Sequence, residues 1–369
     1  MSLNWMRHFE LQILSDSGEG IIILSDFKVT FRIEWTDTRW PRVAMVKIYN
    51  LSKDTSSRIL GNEFSKIKII AGYDGLPVDN IVDSSELNNP KEIDPSQIGQ
   101  INGTNYGEIF SGEIRFTITG RDNPTDTWVL IQAIDGHQAF MNASVTKTLA
   151  AGYTVADVHA AAMDSFNPYG VKKGITGDTP PTVFPRGRVL YQSTRDVMDN
   201  VAAQCGATWQ LVDGQAQMVP TDKYIKDAIV LNSDTGLIGM PQQTMGAGVN
   251  ARCLINPNIR VNGLIELDQA SVYRTTLNSE DILAVKYDDR GNVVSSPKLS
   301  ESNENGNLVV NGAKSQPSSV ATDGVYIVQS ISYTGDTRGQ AWYMDLMCRA
   351  RNDATLQTQP SINRSVASE

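Results

Sequence analysis

FKVTFRIEW, residues 27–35, alternates apolar and polar side chains without a break. Successive side chains of a β-strand point to opposite sides, so the two sets would lie on opposite faces of an extended chain. The apolar set is Phe27, Val29, Phe31, Ile33 and Trp35, and the polar set is Lys28, Thr30, Arg32 and Glu34. A strict period of two over this length predicts a strand with one buried face.

Short β-rich runs continue along the chain, and turn dipeptides separate them. Eight Asp-Gly or Asn-Gly pairs occur in the sequence, and such pairs tolerate the positive φ angles of tight hairpin turns. The clearest is Asp213-Gly214, which TWQLV precedes and QAQMV follows. The other runs are RVAMVKIYNL (42–51), KIKIIAGY (66–73), EIFSGEIRFTI (108–118) and TWVLIQAI (127–134). The pattern predicts a mainly β protein built of hairpins.

Two helical patterns interrupt the β-rich sequence. In TVADVHAAAMDSF, Thr154 is the predicted N-cap. In STRDVMDNVAAQCG, Ser193 or Thr194 is the predicted N-cap and Gly206 the stop. The inward faces are Val155, Val158, His159, Ala162 and Phe166 in the first helix, and Val197, Val201 and Cys205 in the second. The middle of the chain is therefore predicted to be an α/β segment between two β-rich regions.

Composition limits the classes of function. The 369 residues include 32 basic and 41 acidic side chains, a net charge of −9, which disfavours binding to a phosphate backbone. The three cysteines, Cys205, Cys253 and Cys348, are widely spaced and odd in number, so we expect small buried side chains rather than a disulfide framework or a zinc site. No apolar run is long enough to span a bilayer, and the N-terminus lacks a secretory signal. We expect assembly in a cytoplasm.

The glycine-rich stretch TGLIGMPQQTMGAGVNARCLINP, residues 235–257, invites comparison with phosphate-binding loops. A P-loop requires Lys and Ser or Thr after its last glycine, and a dinucleotide-binding loop requires a helix after its glycines. Neither requirement is met, because Gly248 is followed by VNAR with no helical period. We interpret the stretch as a connection that leads into a second β-rich region.

The sequence contains no recognisable catalytic or metal-binding signature. The three histidines, His8, His137 and His159, have no partner at metal-binding spacing, and a nucleophile elbow is absent. Asp135-Gly136-His137 brings an acid and a base close in sequence, but a turn explains the Asp-Gly pair better. His159 is expected to be a packed core histidine. The sequence therefore predicts no enzyme, no cofactor, no metal and no catalytic residue.

The two β-rich regions resemble each other. AMVKIYNL (44–51) is similar to ARCLINPN (251–258), and GEIRFTITGRDNPTDTWVLIQA (112–133) is similar to QSISYTGDTRGQAWYMDLMCRA (329–350). In the second pair, a strand leads into a polar turn, and the next strand opens on Trp128 or Trp342. The similarity favours a duplication, and the alternative is two unrelated hairpins of ordinary β composition.

These observations predict two similar β-rich regions on either side of the middle α/β segment, and the family resemblance described below implies that each is an antiparallel β-barrel domain. Residues 76–108 would form a long acidic insertion in the first barrel, with six acidic side chains and one lysine, and residues 287–319 would form an insertion in the second. Loops of this length are either functional or solvated. The predicted divisions are a first barrel at 1–145, the middle segment at 146–225, a second barrel at 226–351 and a C-terminal arm at 352–369.

The order of segments resembles the baseplate hub proteins of contractile-tailed bacteriophages, a late-control-D-like family related to the hub of type VI secretion spikes. The resemblance covers residues 25–350 and rests on the order of many weak motifs. The motifs are FKVTFRIEWTD, VKIYNLS, IKIIAGYDG, IFSGEI, WVLIQAIDG, FPRGRVLYQSTRDVMDNVAAQCGATWQLVDGQ, LNSDTGLIGMP and CLINPNIRVNG.

The resemblance implies a structural protein of the virion. Three chains would form a pseudo-sixfold ring that joins the sixfold tail tube to the threefold central spike, since two barrels in each chain give six. The implied partners are a separate spike protein, tail tube or tube-initiator proteins, baseplate wedge proteins and the tape measure protein. DNA would pass transiently through the lumen. The resemblance carries no individual contact residue over to this chain.

A different function remains open at this point. The middle segment could instead be a carbohydrate-binding module for the bacterial cell wall, which would use exposed aromatic side chains. Its candidates are Tyr153, Tyr169, Tyr191 and Trp209.

Overall fold

The computed structural model describes residues 6–15, 21–61, 64–74, 105–220, 225–233, 235–243, 248–267 and 324–350, and five short strands between residues 286 and 315. The strands before the middle segment are β1 (Arg7–Leu14), β2 (Ile21–Leu24), β3 (Val29–Thr36), β4 (Val43–Tyr49), β5 (Lys66–Tyr73), β6 (Asn105–Arg121) and β7 (Thr127–Ile134). The helices are α1 (Lys53–Leu60), α2 (His137–Asn142), α3 (Val155–Phe166) and α4 (Thr194–Gln204).

The middle segment contains β8 (Ser144–Leu149), β9 (Lys172–Thr176), β10 (Arg188–Ser193), β11 (Ala207–Val212) and β12 (Gln215–Pro220). After it come β13 (Ile225–Leu231), β14 (Leu237–Gln243), β15 (Gly248–Leu254) and β16 (Gly263–Leu267). The short strands are β17 (Lys286–Tyr287), β18 (Val293–Ser295), β19 (Ser300–Ser302), β20 (Asn307–Val310) and β21 (Ala313–Ser315), and the chain then forms β22 (Val325–Asp336) and β23 (Trp342–Ala350). The prediction of a mainly β fold is confirmed.

FKVTFRIEW forms β3 from Val29 onward, and Val29, Phe31, Ile33 and Trp35 are buried while Arg32 and Glu34 are exposed. Phe27 precedes the strand and is 36% exposed, so the first alternating position does not reach the core. The period of two therefore predicted both the strand and its buried face.

One large sheet contains strands from both β-rich regions. Its main order is β14-β15-β23-β22-β3-β4-β7-β6-β5-β1-β2, and β13 and β16 join beside β22. The two regions meet where β22 pairs antiparallel with β3, from Ser330 opposite Thr36 to Asp336 opposite Thr30. One hydrophobic core lies under this sheet and takes side chains from both regions.

The strand topology repeats. In the first region, β3, β4, β7, β6 and β5 lie side by side in that order, and in the second region β14, β15, β23, β22 and β16 do the same. The chain visits the two sets in the same sequence. The similarity of residues 44–51 to 251–258 thus corresponds to β4 and β15, and the similarity of the two hairpins corresponds to β6–β7 and β22–β23.

The two tryptophans that marked the repeat are not equivalent. Trp342 is buried and faces the core, whereas Trp128 lies on the opposite face of its strand and donates from Nε1 to Asp122 at 2.9 Å. Aligning Ala44 with Ala251, both buried, places the buried positions of all the paired strands in phase. That alignment is used below.

A second hydrophobic core lies in the middle of the chain, between Ala139 and Met218. Thr154 caps α3 through a capping box with Asp157, Ser193 is the N-cap of α4, and Gly206 follows the end of α4 with φ 58°. The predicted inward faces of both helices are buried, except that Cys205 is half-buried. β8 pairs with β10, and β11, β12 and β9 form a second small sheet.

The two predicted insertions occupy the same place in the repeat. The first follows β5 and precedes β6, and the second follows β16 and precedes β22. Residues 76–104 lie outside the described residues, as does most of 287–319 apart from the backbone of the short strands, and so does the arm at 352–369. The first insertion is shorter than predicted, since residues 105–108 belong to β6.

Candidate assembly surfaces

The middle segment and both β-rich regions meet at a polar junction. It is built around the β3–β4 connection, DTRWPR, residues 37–42. Asp37 Oδ1 accepts hydrogen bonds from Thr208 Oγ1 at 2.7 Å, Gln210 Nε2 at 3.0 Å and Asn262 Nδ2 at 3.0 Å. One carboxylate therefore links three parts of the chain that are distant in sequence.

Arg42 forms the charged centre of the same junction. Its side chain is buried, and it donates to Asp135 Oδ2 from Nε at 3.0 Å and from Nη2 at 2.5 Å. Nη2 also donates to Asp213 Oδ1 at 2.5 Å, and Arg260 Nη1 donates to Asp213 Oδ2 at 2.9 Å. The guanidinium lies 4.9 Å from the ring centroid of Trp35. Charges from all three segments thus compensate one another inside the protein.

The pKa values at the junction follow from burial and pairing. Burial works against the charged form of Arg42, but the charges of Asp135 and Asp213 outweigh it and raise its pKa. Burial raises the pKa of Asp135 above the ordinary value, against the attraction of Arg42. Burial also opposes ionisation of Asp213, but Arg42 and Arg260 outweigh it, so the pKa of Asp213 lies below the ordinary value.

This arrangement assigns Asp135 a structural role. The carboxylate of the Asp135-Gly136-His137 triplet is occupied by Arg42 and by the Asp213 backbone N–H, while His137 begins α2. The turn interpretation is correct in its backbone, since Gly136 has φ 59°. Sequence reasoning missed Arg42 and Asp37 as junction residues because their partners lie far away along the chain.

The large sheet has one exposed face, which crosses β14, β15, β23, β22, β3, β4, β7 and β6. Two ion pairs lie on it: Arg32 Nη2 is 2.8 Å from Glu34 Oε1, and Arg252 donates to Asp345 from Nε at 2.6 Å and from Nη2 at 3.2 Å. The second region carries a shallow groove of about 660 Å³ on this face. Residues lining it include Ile238, Met240, Arg252, Ser332, Asp345 and Met347.

Equivalent positions of the two regions differ in chemistry. The first region presents a row of Met45, Gln132 and Phe116 across β4, β7 and β6. The second region presents Arg252, Asp345 and Ser332 at the matching positions of β15, β23 and β22. Met45, Phe116 and the nearby Ile118 are 43%, 40% and 47% exposed. The first region therefore has the more apolar row, and this row ends on β6.

Two strand edges that border this face are open within the part of the chain that the structure describes, in addition to the outer edges of β2 and β13. β6 pairs with β7 up to Arg121, but its pairing with β5 ends at Glu113, so residues 115–121 have a free edge. β14 pairs with β15 alone. Ile118 lies on the first edge, and Ile238 and Met240, 39% and 61% exposed, lie on the second. Open edges with apolar side chains are typical sites of association with another chain.

The histidines and cysteines occupy unconnected places. His159 is buried in α3, as expected, and burial followed by the charge of Lys173 lowers its pKa. Cys253 and Cys348 are buried and Cys205 is half-buried, and none forms a disulfide. No group of three or more potential metal ligands occurs among the described residues. In the same residues, no helix is long and apolar enough to cross a membrane.

The aromatic candidates for carbohydrate binding do not form one set. Trp209 is buried in the middle core and donates from Nε1 to Asp199 at 2.7 Å. Tyr153 stacks on Phe184 with ring centroids 4.8 Å apart. Tyr169 and Tyr191 are 36% and 82% exposed, on a short 3-10 turn and on β10. Two of the four side chains are therefore used in packing.

Solved structures of other proteins have a similar fold. No family model matches the chain, and no curated protein matches it either. The solved structure of the 43 kDa tail protein of prophage MuSo2 from Shewanella oneidensis matches with a TM-score of 0.50 at 7% identity, covering 94% of this chain and 97% of that one. The tail protein from Neisseria meningitidis MC58 matches with a TM-score of 0.48 at 8% identity, covering 94% and 97%.

A third similar structure is the E. coli c3393 protein, a component of the type VI secretion system, with a TM-score of 0.43, 6% identity and coverage of 88% and 73%. At such identities a structural match shows the fold alone. The chain therefore has the fold of a prophage tail protein, and the resemblance to baseplate hub proteins seen in the sequence is confirmed at that level.

Proposed function

We propose that this protein is a structural hub of a phage tail baseplate, which forms a trimeric, pseudo-sixfold ring between the tail tube and the central spike. The observation that carries the proposal is the repeated strand topology, in which β3, β4, β7, β6 and β5 match β14, β15, β23, β22 and β16. Three copies of a duplicated chain give six similar units, which meet a sixfold partner without symmetry mismatch.

The open edges supply a route to ring closure. Within one chain, β22 of the second region pairs with β3 of the first. In the repeat, β6 is equivalent to β22 and β14 is equivalent to β3. The free edge of β6 in one copy would therefore pair antiparallel with β14 of the next copy, as a head-to-tail contact that closes after three chains.

Equivalence also fixes the register of this contact. Ser332 lies opposite Glu34 and Thr334 lies opposite Arg32 at the pairing inside the chain. The matching residues put Phe116 opposite Gln242, and Ile118 opposite Ile238, of the neighbouring copy, across the bulge that β14 has between Ile238 and Gln242. The exposed apolar side chains of Phe116 and Ile118 on β6 and of Ile238 on β14 would then lie next to one another across the contact.

The two ends of the ring would differ in symmetry. The β6–β7 and β22–β23 turns lie at the same end of the sheet, because β6 and β22 run in the same direction. The opposite end carries the polar junction and one middle segment per chain. A trimer would present six similar turns at one end and three middle segments at the other, as an adaptor between a sixfold tube and a threefold spike requires.

The proposed partners follow from this adaptor role. They are a spike protein, tail tube or tube-initiator proteins, baseplate wedge proteins and the tape measure protein, with DNA passing through the lumen during infection. The proposed location is the virion tail, after assembly in the host cytoplasm. The charge compensation at Arg42 supports a structural rather than catalytic use of its buried carboxylates.

A cysteine pair tests the ring. We would introduce Ile118→Cys and Ile238→Cys together with Cys205→Ser, which removes the half-buried native thiol. Oxidation should give a covalent trimer as the largest product on denaturing gels, because the proposed head-to-tail contacts close into a ring of three chains. A ladder of increasing size would indicate an open filament, and recovery of only monomer from assembled tail particles would contradict the proposed contact.

Matched controls separate pairing from accidental oxidation. Each single cysteine variant should remain monomeric on the denaturing gel, and so should the pair Met45→Cys and Ile238→Cys, since Met45 lies two strands away from the β6 edge. Imaging of tail particles should place three copies at the junction of tube and spike. Absence of the chain from that position would refute the hub function itself.

A further inference from the structure

The exposed face of the sheet has a feature that assembly alone does not require. On β3, β4, β15 and β23, every lysine or arginine has an interaction partner: Arg32 with Glu34, Lys47 with Asp122, Arg252 with Asp345, and Arg349 with a further group. Arg252 also lies 4.2 Å from the ring centroid of Tyr343. Arg32 and Arg252 are exposed, Lys47 and Arg349 are half-buried, and each of the four has a partner.

The Arg32–Glu34 pair occurs in the first β-rich region and the Arg252–Asp345 pair in the second, and neither pair has an equivalent in the other region. Glu34 lies two residues from Arg32 on the same strand, and Asp345 lies directly across from Arg252 on the neighbouring strand. An exposed ion pair contributes little to stability, about 0–1 kcal/mol. Fold stability therefore explains the presence of Glu34 and Asp345 poorly. The net charge of the exposed face explains it better.

Geometry decides which way this face would point in the proposed ring. Eight strands from each of three copies would form a cylinder of 24 strands, about 37 Å across at a spacing of about 4.8 Å per strand. The opposite face is covered by β1, β5 and the hydrophobic core. A packed sheet adds about 10 Å on each wall. The covered layer would leave an opening of about 17 Å, which is too narrow for a DNA duplex. In a ring that passes DNA, the exposed face must therefore line the interior.

We propose that Glu34 and Asp345 neutralise Arg32 and Arg252 on the inner wall of the ring, so that duplex DNA passes without being held. This inference rests on the proposed function. Free arginines facing a duplex bind its phosphates and release counterions, and a ring of three chains would otherwise present six of them. Paired with a carboxylate, each arginine loses its net attraction for phosphate.

Removal of the two carboxylates tests this role. The variant Glu34→Gln with Asp345→Asn should bind a fluorescein-labelled 30-bp duplex roughly tenfold or more tightly than wild type at low salt, with a steeper dependence on salt concentration. The matched control is Glu108→Gln with Asp164→Asn, which makes the same change of charge and frees Lys68 and Lys147 away from this face. The control should gain much less affinity.

A four-residue variant identifies the source of the gain. Adding Arg32→Gln and Arg252→Gln to the first variant should return the DNA affinity to that of wild type. Circular dichroism and the melting temperature establish that each variant is folded. Equal affinity in the face variant and the control, or a gain that persists without the arginines, would overturn the proposal.

Tail particles provide the functional measurement. Particles carrying the carboxylate variant should assemble normally and release DNA more slowly, while control particles release it at the wild-type rate. Normal release from particles that contain the variant would overturn the inference. Absence of even the wild-type chain from the tube–spike junction is a different outcome, because it refutes the proposed hub.

Discussion

Arg42 connects residue chemistry to the architecture of the chain. It is buried, it satisfies two carboxylates from different segments, and a third segment contributes Arg260 to the same network. A buried ion pair adds little net stability, but removal of one partner leaves a buried charge without compensation. Loss of one charged member should therefore destabilise the protein by more than the intact network stabilises it.

Replacement of Arg42 should be severely destabilising. Arg42→Ala leaves the carboxylate of Asp135 buried without its guanidinium, and we expect a loss of about 3–5 kcal/mol in the free energy of unfolding. Urea denaturation followed by tryptophan fluorescence measures the change. The control is Arg32→Ala, which breaks an exposed pair and should cost about 1 kcal/mol or less. Similar losses in both variants would mean that the junction is not an energetic centre.

Asp213 should make the junction sensitive to acid. Its folded pKa lies below the ordinary value of 3.8, so its ionised form stabilises the fold above that pH, and the contribution is lost as pH falls through the lower folded pKa. Asp213→Asn should therefore reduce the free energy of unfolding most at neutral pH. The difference from wild type should shrink below about pH 4.

Denaturation curves at several pH values measure this difference. Asp164→Asn serves as the control, because Asp164 forms an exposed pair with Lys147 and should affect stability little at any pH. A difference between wild type and Asp213→Asn that grows toward acid would contradict the assigned direction.

At the level of elements, the sequence predicted what periodicity and caps encode. The alternation of residues 27–35 located β3, the run at 66–73 coincides with β5, and Thr154 marked the start of α3. The helix α1 was missed because Ile59 is its sole residue classed as buried, which leaves no apolar period to detect. In the glycine-rich stretch at 235–257, β15 confirms the predicted return to β structure, but residues 237–243, which were predicted to be a connection, form the strand β14.

The pairing of β22 with β3 could not be read from either strand. Each has ordinary alternating residues, and the partners are separated by almost the whole chain. β22 and β3 approach closely at Gly335. This residue lies opposite Phe31, and a Cβ there would overlap the Phe31 ring. Phe31 is held in place by stacking on Phe9, with ring centroids 5.5 Å apart.

Gly335→Ala should therefore weaken the seam between the two β-rich regions. The extra methyl group is forced against a ring that cannot withdraw, and overpacking of this kind costs about 1–3 kcal/mol. Thermal and urea denaturation measure the loss. Combining Gly335→Ala with Phe31→Leu should cost less than the sum of the single changes, since the smaller side chain makes room. Strict additivity would show that the two residues do not meet.

At the level of the whole molecule, two cores are joined by polar contacts. The large core lies under the sheet, and the second core belongs to the middle segment. The division into domains at 1–145, 146–225 and 226–351 stays a prediction, but the sheet shows why the two β-rich regions should be tightly coupled. Sequence reasoning found the repeat and the middle segment, yet it could not find the junction, which depends on residues brought together by the fold.

Asp37 gives the most direct test of how the middle segment is held. Asp37→Ala removes the acceptor for Thr208, Gln210 and Asn262, three donors that lie in the middle segment and the second β-rich region. Because these hydrogen bonds join separate cores, we expect faster amide hydrogen exchange in β11 and around residue 262, with exchange in β1 and β5 unchanged. Thr38→Ala is the neighbouring control, since Thr38 is hydrogen-bonded to the nearby Thr36. If exchange in β1 and β5 rises as much as in β11, the loss is global and the junction does not hold the middle segment locally. If exchange in β11 stays at the wild-type rate, the middle segment is held by apolar packing and Asp37 is dispensable.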